Sequence, residues 1–419
     1  MIKLVCINHS FQKEYYSRRW KLFAQQFQDV DVTLLTPKEF SWYKNKIYTY
    51  GNAEIDKAKD VDEDNFHIRT FRINFFKVGL TSPDFKRLLL EIHPDVIYNI
   101  GSHTMLTVVQ IGEIARKYLP KAKLVQFSMR GPNWNQKHHL PFMSKAWLRN
   151  RYLYYYSKPV IKYLNKHYDA ITCHYPDAVE AFRREGFEGP IYMQTQVGVN
   201  KEWFYENEDY RKEIREKYHL GDAYVFGSAS RFTPDKGLDD IIDAMPKDGN
   251  WKFLMMGKGG DEDMKRIKNH IQARGLQDKI ILTGFIDWFE IVKYWNAIDC
   301  AIHVPRTTEH WVETFSLTII QAMLLKKPII GNTSGSVPYQ IGPEGIIVPE
   351  GDINKLGEKV QWVLNHKEDA EQLGLLMNKR AEHYTVQSLN RLFYKTITED
   401  ILFGKYDETK ADMATYNCY

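Results

Sequence analysis

The chain has 419 residues, too many for one ordinary hydrophobic core, so two or three domains are expected. Hydrophobic residues are 43% and charged residues 26%, which excludes a disordered chain. A formal charge of +4 is too small to indicate nucleic acid, and no apolar run reaches the roughly 18 residues of a membrane span.

The four cysteines, Cys6, Cys173, Cys300 and Cys418, include no CxxC pair. They suggest neither a disulfide framework nor a zinc site, so a reducing compartment is expected. The start, "MIKLVCINHSFQ", has no secretory pattern, which adds to the expectation of a cytoplasmic protein.

In chain order, residues 2–8 read as a buried strand, 15–27 as a helix and 30–37 as a second strand. Strands are also predicted at 93–102, 122–129 and 168–175. A second series follows, at 223–230, 251–257, 278–284, 299–305, 327–332 and 344–350. Helical patterns separate the strands. Continuous apolar strands alternating with helices predict parallel sheets covered on both faces. Two doubly wound α/β domains are therefore expected in series, 1–200 and 201–385. A C-terminal helix in 386–419 would return to the first domain, followed by a tail.

In such folds a ligand sits outside the carboxyl ends of the strands. Four loops of the second series are candidates. "RFTPDKG" places Arg231 and Lys236 just before a helix that opens at Gly237, a setting for an anion such as a diphosphate. "GKGG" begins at Gly257, where a bare backbone can approach a ligand. Phe285 and Ile286 follow a third strand and can face a flat base with their backbone. The first of these loops also reads as a solvated polar turn, and the third as a plain strand-to-helix turn.

The fourth loop leads into "ETFSLTIIQAMLLKKP". A helix should start near Phe315 and stop before Pro328. The free N–H groups around Ser316, Leu317 and Thr318 would face a phosphate. Glu313 precedes this helix, and Gln321 lies eight residues on, about 80° round a continuous helix, so both can border one cleft. Glu313 also reads as an ordinary helix-start acid, and Gln321 as a helix-face amide bonded to its neighbours.

The segment from about 220 to 385 resembles the glycosyltransferase group 1 family, the retaining family 4 enzymes of GT-B fold. Ser230, Arg231, Lys236 and Gly237 match its G-R-x-x-x-x-K-G clamp. Glu313 matches the first acid of its E-x7-E motif, with Gln321 in place of the second. "SGSVPYQIGPEG" stands where the family has G-G-V-P-E. In the first half, "PDVIYNIGS" and "QVGVNKEWF" resemble family segments. "NHSFQKE" replaces the usual glycine pair after the first strand, and "SMRGPNW" stands at a usual histidine.

The resemblance implies two Rossmann-like domains facing a central cleft. It implies transfer of a hexose from a nucleotide-sugar, a UDP-sugar first, to a glycan or lipid-linked saccharide. Configuration would be retained, with no metal and no cofactor. Arg231 and Lys236 would neutralise the leaving diphosphate. Glu313 would hold the donor's hydroxyls, Gln321 would sit at the ribose, and Phe285 and Ile286 would flank the base. An epimerase of the same fold and a non-catalytic nucleotide-sugar-binding partner are the alternatives.

Residues 133–168 hold seven Lys or Arg, no acid and many aromatics. Two readings fit: a peripheral contact with anionic lipid at the inner face of a membrane, or a solvated basic helix pair packing its tyrosines on the first domain. His138 and His139 read as surface residues.

Overall fold

The computed structural model describes residues 1–40, 56–76, 79–101, 106–128, 143, 148, 158–308 and 311–404. Most of the basic stretch 133–168, including His138 and His139, lies outside the described residues, as do Met129–Trp134 and the tail from 405. Among the described residues no helix is long and apolar enough to cross a membrane.

The chain forms two compact units. The first takes Met1–Val197, and the chain returns to it from Leu389 on; the second is Gly198–Ser388. Each is a sheet covered by helices on both faces.

The first sheet has eight strands. From one edge they are Ile191–Met193, Ala170–Cys173, Lys123–Ser128, Val96–Ile100, Ile2–Ile7, Val30–Pro37, Phe66–Phe71 and Val61–Glu63. All neighbours pair in parallel except the last two, which form an antiparallel edge. Leu4, Val5, Cys6 and Ile7 are buried in succession, as a strand covered on both faces requires. The helix Glu14–Gln26 turns Trp20, Phe23 and Ala24 to the sheet, the three-and-four spacing of one helix face. Phe393 of the returning helix Val386–Lys395 packs its ring at 5.3 Å, edge to face, on Trp20. Nearby, the Asn390 side chain accepts from Arg19 Nε at 3.1 Å.

The second sheet has six parallel strands. Their order is Ile280–Gly284, Trp251–Met256, Tyr224–Ala229, Cys300–His303, Ile329–Asn332 and Ile346–Val348. One face is covered by Leu238–Ala244, Asp261–Arg274 and Ile353–Asn365, through Ile241, Ile267 and Val360. The other is covered by Glu208–Lys217, Ile291–Ala297, Leu317–Leu324 and Lys367–Ala381, through Ile214, Trp295, Ile319 and Met377.

The strand order reverses between Tyr224–Ala229 and Cys300–His303. From the former the chain winds outward through 251–256 and 280–284, then comes back to its other side. The loops leaving these two strands therefore part in opposite directions, and open a crevice at their carboxyl ends.

Candidate active site

The loop after Tyr224–Ala229 carries Arg231, a short turn Pro234–Lys236, and Gly237. The loop after Cys300–His303 runs through Glu313 to the helix Leu317–Leu324. The two loops meet at the strand-order reversal. Gly237 has φ +65°, and a Cβ placed there would lie 1.9 Å from the Val304 carbonyl oxygen. Only glycine permits this approach. Arg306 N–H donates to the Asp235 carbonyl at 2.9 Å, which ties the loops together.

Lys236 Nζ then lies 3.2 Å from Glu313 Oε2. The Trp311 ring centroid is 3.7 Å from the same ammonium, and Asp235 Oδ2 is 3.9 Å away. His303 Nε2, at the end of its strand, is 3.4 Å from Glu313 Oε2. Glu313 is only 7% exposed. Burial pushes its carboxyl up, but the His303 ring and the Lys236 ammonium outweigh that and hold it below the usual glutamate range.

The backbone beyond Glu313 is held from the next loop. Ser336 N–H donates to the Glu313 carbonyl at 2.8 Å. Gly335 has φ +50°, and a Cβ there would come within 2.1 Å of that carbonyl oxygen. Gln340 accepts from Ser316 N–H at 2.8 Å and donates to the Ser316 carbonyl at 3.0 Å. The Ser316 hydroxyl bonds the Thr318 hydroxyl at 2.8 Å and caps no backbone amide. The N–H groups of Leu317 and Thr318 consequently have no partner among the described residues. They are the orphan donors of a helix start, and both residues are partly exposed.

These observations correct three expectations. The helix starts at Leu317, not near Phe315. Ser316 N–H is already taken by Gln340, so only Leu317 and Thr318 of the expected trio are free to meet an anion. Gln321 is not brought to the surface: it is 0% exposed, and its Oε1 accepts from Trp295 Nε1 at 3.0 Å. The reason is helical phase. Residues 313–316 are not helical, so the 80° offset from Glu313 does not apply, and the fifth helix position faces the core. Gln321 Nε2 has no partner among the described residues.

The remaining candidates also lie at the carboxyl ends of strands. Arg231 is exposed, and its guanidinium has no partner among the described residues. Gly257 N–H donates to the Gly284 carbonyl at 2.9 Å, closing a bridge between two strand ends. Phe285 is 70% exposed, Ile286 is half-buried, and Lys258 Nζ lies 5.6 Å from the Phe285 ring centroid. Phe315 packs its ring 5.8 Å from Tyr384.

Sequence reasoning missed His303, Trp311 and Gln340. His303 had a signal, a titratable group ending an apolar strand, whereas Trp311 and Gln340 depend on contacts between distant loops.

Residues 210–376 match the family model "Glycosyl transferases group 1". This segment belongs to the group 1 glycosyltransferases. It is 25% identical over 175 residues to alpha-D-kanosaminyltransferase of Streptomyces kanamyceticus, covering 40% of this chain and 43% of that protein. Capsular polysaccharide biosynthesis glycosyltransferase CapM of Staphylococcus aureus is 25% identical over 41% of this chain and 45% of its own. The GDP-mannose-dependent alpha-(1-6)-phosphatidylinositol monomannoside mannosyltransferase of Mycobacterium tuberculosis is 24% identical, covering 42% and 48%. The matched segment thus spans under half the length of these curated relatives.

Among solved structures, sucrose-phosphate synthase of Thermosynechococcus elongatus superposes with TM-score 0.69 at 17% identity, over 97% of this chain and 100% of that one. Anabaena HepE in complex with UDP-glucose gives 0.66 at 16%, over 95% and 100%. At these identities the likeness shows the fold, the two Rossmann-like units of GT-B glycosyltransferases. The glycosyltransferase segment contains both loops of the strand-order reversal and the helix Leu317–Leu324.

Proposed function

We propose that the chain transfers a hexose from a nucleoside-diphosphate sugar to a glycan or lipid-linked saccharide, with retention of configuration. The observation that carries this reading is the meeting of Lys236 with buried Glu313 beside the open amides of Leu317 and Thr318, all in the family-matched segment. An ammonium and two backbone donors suit a leaving diphosphate, on which charge grows as the sugar departs. Arg231, whose guanidinium has no partner among the described residues, supplies the second cation. Glu313, held as a carboxylate, accepts from hydroxyls of the sugar. Gly257, Phe285 and Ile286 lie along the nucleotide.

The bond from the anomeric carbon to the phosphate oxygen breaks, and a bond to the acceptor oxygen forms on the same face. The acceptor's proton goes to the departing phosphate, so no protein base is assigned and no metal is invoked. UDP is the first donor to try, since the HepE neighbour was solved with UDP-glucose; GDP is the second, given the mannosyltransferase relative. A cytoplasmic enzyme with a peripheral membrane contact through 133–168 fits a lipid-linked acceptor.

The test is release of free nucleotide from a panel of nucleotide-sugars, with and without acceptor oligosaccharides. Release that depends on acceptor supports transfer. Interconversion of the donor sugar without acceptor would mean an epimerase, and binding without turnover a non-catalytic partner.

A further inference from the structure

We infer that Gln340 is a positioning residue of the donor site, acting through Ser316 to set which backbone amides meet the diphosphate. The inference rests on the donor-site reading above. Gln340 is 2% exposed and belongs to the short helix Val337–Ile341, which follows the neighbouring strand Ile329–Asn332. Its carboxamide closes a two-bond ring with a single residue, accepting from Ser316 N–H at 2.8 Å and donating to the Ser316 carbonyl at 3.0 Å. Ser336 Oγ also donates to Gln340 Oε1, at 3.2 Å. The side chain thus does for Ser316 what an adjacent strand would do, in a segment with no strand partner.

Two consequences follow. First, the backbone between Glu313 and the helix is clamped at both ends, by Ser336 N–H on the Glu313 carbonyl and by Gln340 on Ser316. This fixes the carboxylate that faces Lys236. Second, Ser316 N–H is withdrawn from the ligand. The donors offered to an anion begin at Leu317, one residue later than a bare helix start would offer. Among the described residues no other side chain bonds the Ser316 backbone, so the register depends on an amide that both donates and accepts.

Gln340→Met keeps the volume and loses both bonds, and Gln340→Glu keeps only the acceptor. Titration calorimetry with UDP and GDP on the full chain is the experiment, alongside Lys236→Ala and thermal melts of each variant. Both Gln340 variants are expected to melt cooperatively while weakening nucleotide binding about tenfold, the cost of misplacing one charge-assisted contact. If Met does not fold, Glu decides. Normal nucleotide affinity in a folded Gln340 variant, with Lys236→Ala impaired, would overturn the inference alone. Failure of wild type to bind either nucleotide would overturn the donor-site reading and the inference with it.

Discussion

The two units use the same device with opposite chemistry. Each parallel sheet reverses strand order once near its middle, between Ile2–Ile7 and Val96–Ile100 in the first and between Tyr224–Ala229 and Cys300–His303 in the second. In the first unit the reversal is bridged by the neutral amide of Asn8, with two more neutral amides beside it between the next two strands. Asn8 Nδ2 donates to the Ile100 carbonyl at 3.0 Å, Asn99 Nδ2 to Gln126 Oε1 at 2.7 Å, and Gln126 Nε2 to the Gly101 carbonyl at 3.0 Å. In the second it is bridged by Lys236 and Glu313 beside an uncapped helix. Topology supplies a crevice twice; side chains decide which one suits an anion. Neutral amides suit a hydroxyl-rich ligand, and a cation with open backbone donors suits a diphosphate.

The comparison breaks most severely at Gly237. Gly237→Val should destabilise the chain by about 3 kcal/mol or more, because the left-handed backbone and the contact with Val304 both exclude a side chain. A thermal melt close to wild type would mean that the two loops do not touch.

Lys236→Ala should come next. Loss of this cation is expected to lower turnover by roughly 10²–10³, about 3–4 kcal/mol at the transition state. It also removes one of the two groups that hold the Glu313 carboxyl below the ordinary range. That carboxylate contributes stability above its unfolded-state value, and loses it as pH falls through the lower folded-state value. In Lys236→Ala the acid-side loss should therefore be smaller and be complete at higher pH. Urea midpoints measured across the acid range check this; superimposable profiles would remove Lys236 from the pair.

Gln321→Leu sharpens the comparison from the core side. It strands Trp295 Nε1 without an acceptor, at a cost of about 1–2 kcal/mol, and should leave donor affinity unchanged. Weaker donor binding with an unchanged melt would restore the ribose role expected from the family motif.

The smallest effect on stability is expected for Arg231→Ala. The side chain is exposed and without a partner among the described residues, so a surface change of about 0.5 kcal/mol at most should move the melting temperature by no more than about 2 °C. Donor affinity should nonetheless fall. A melt that drops while affinity holds would give Arg231 a structural role instead.

Much of the fold was legible because buried parallel strands are continuous apolar runs. "VDVTLLTP" coincides with the strand Val30–Pro37, while other strands were trimmed by one to three residues at their ends. The strands Phe66–Phe71 and Val61–Glu63 escaped because "FHIRTF" and "VDE" mix polar with apolar residues, in the last two strands at one end of the sheet. Lys236 and Glu313 were separately legible, each beside a helix start. Their contact was not, since it joins residues 77 apart through a glycine whose role appears only when both loops are in place. Gln321 misled because the helical phase was carried back to Glu313, although residues 313–316 are not helical.

The most direct measurement is calorimetric titration of UDP and GDP into wild type, Lys236→Ala and Asn8→Ala, one substitution at each reversal. If the charged reversal holds the diphosphate, one nucleotide binds wild type, Lys236→Ala weakens it by about thirtyfold or more, and Asn8→Ala leaves it unchanged. Equal affinity in Lys236→Ala and wild type, or a loss confined to Asn8→Ala, would contradict that assignment.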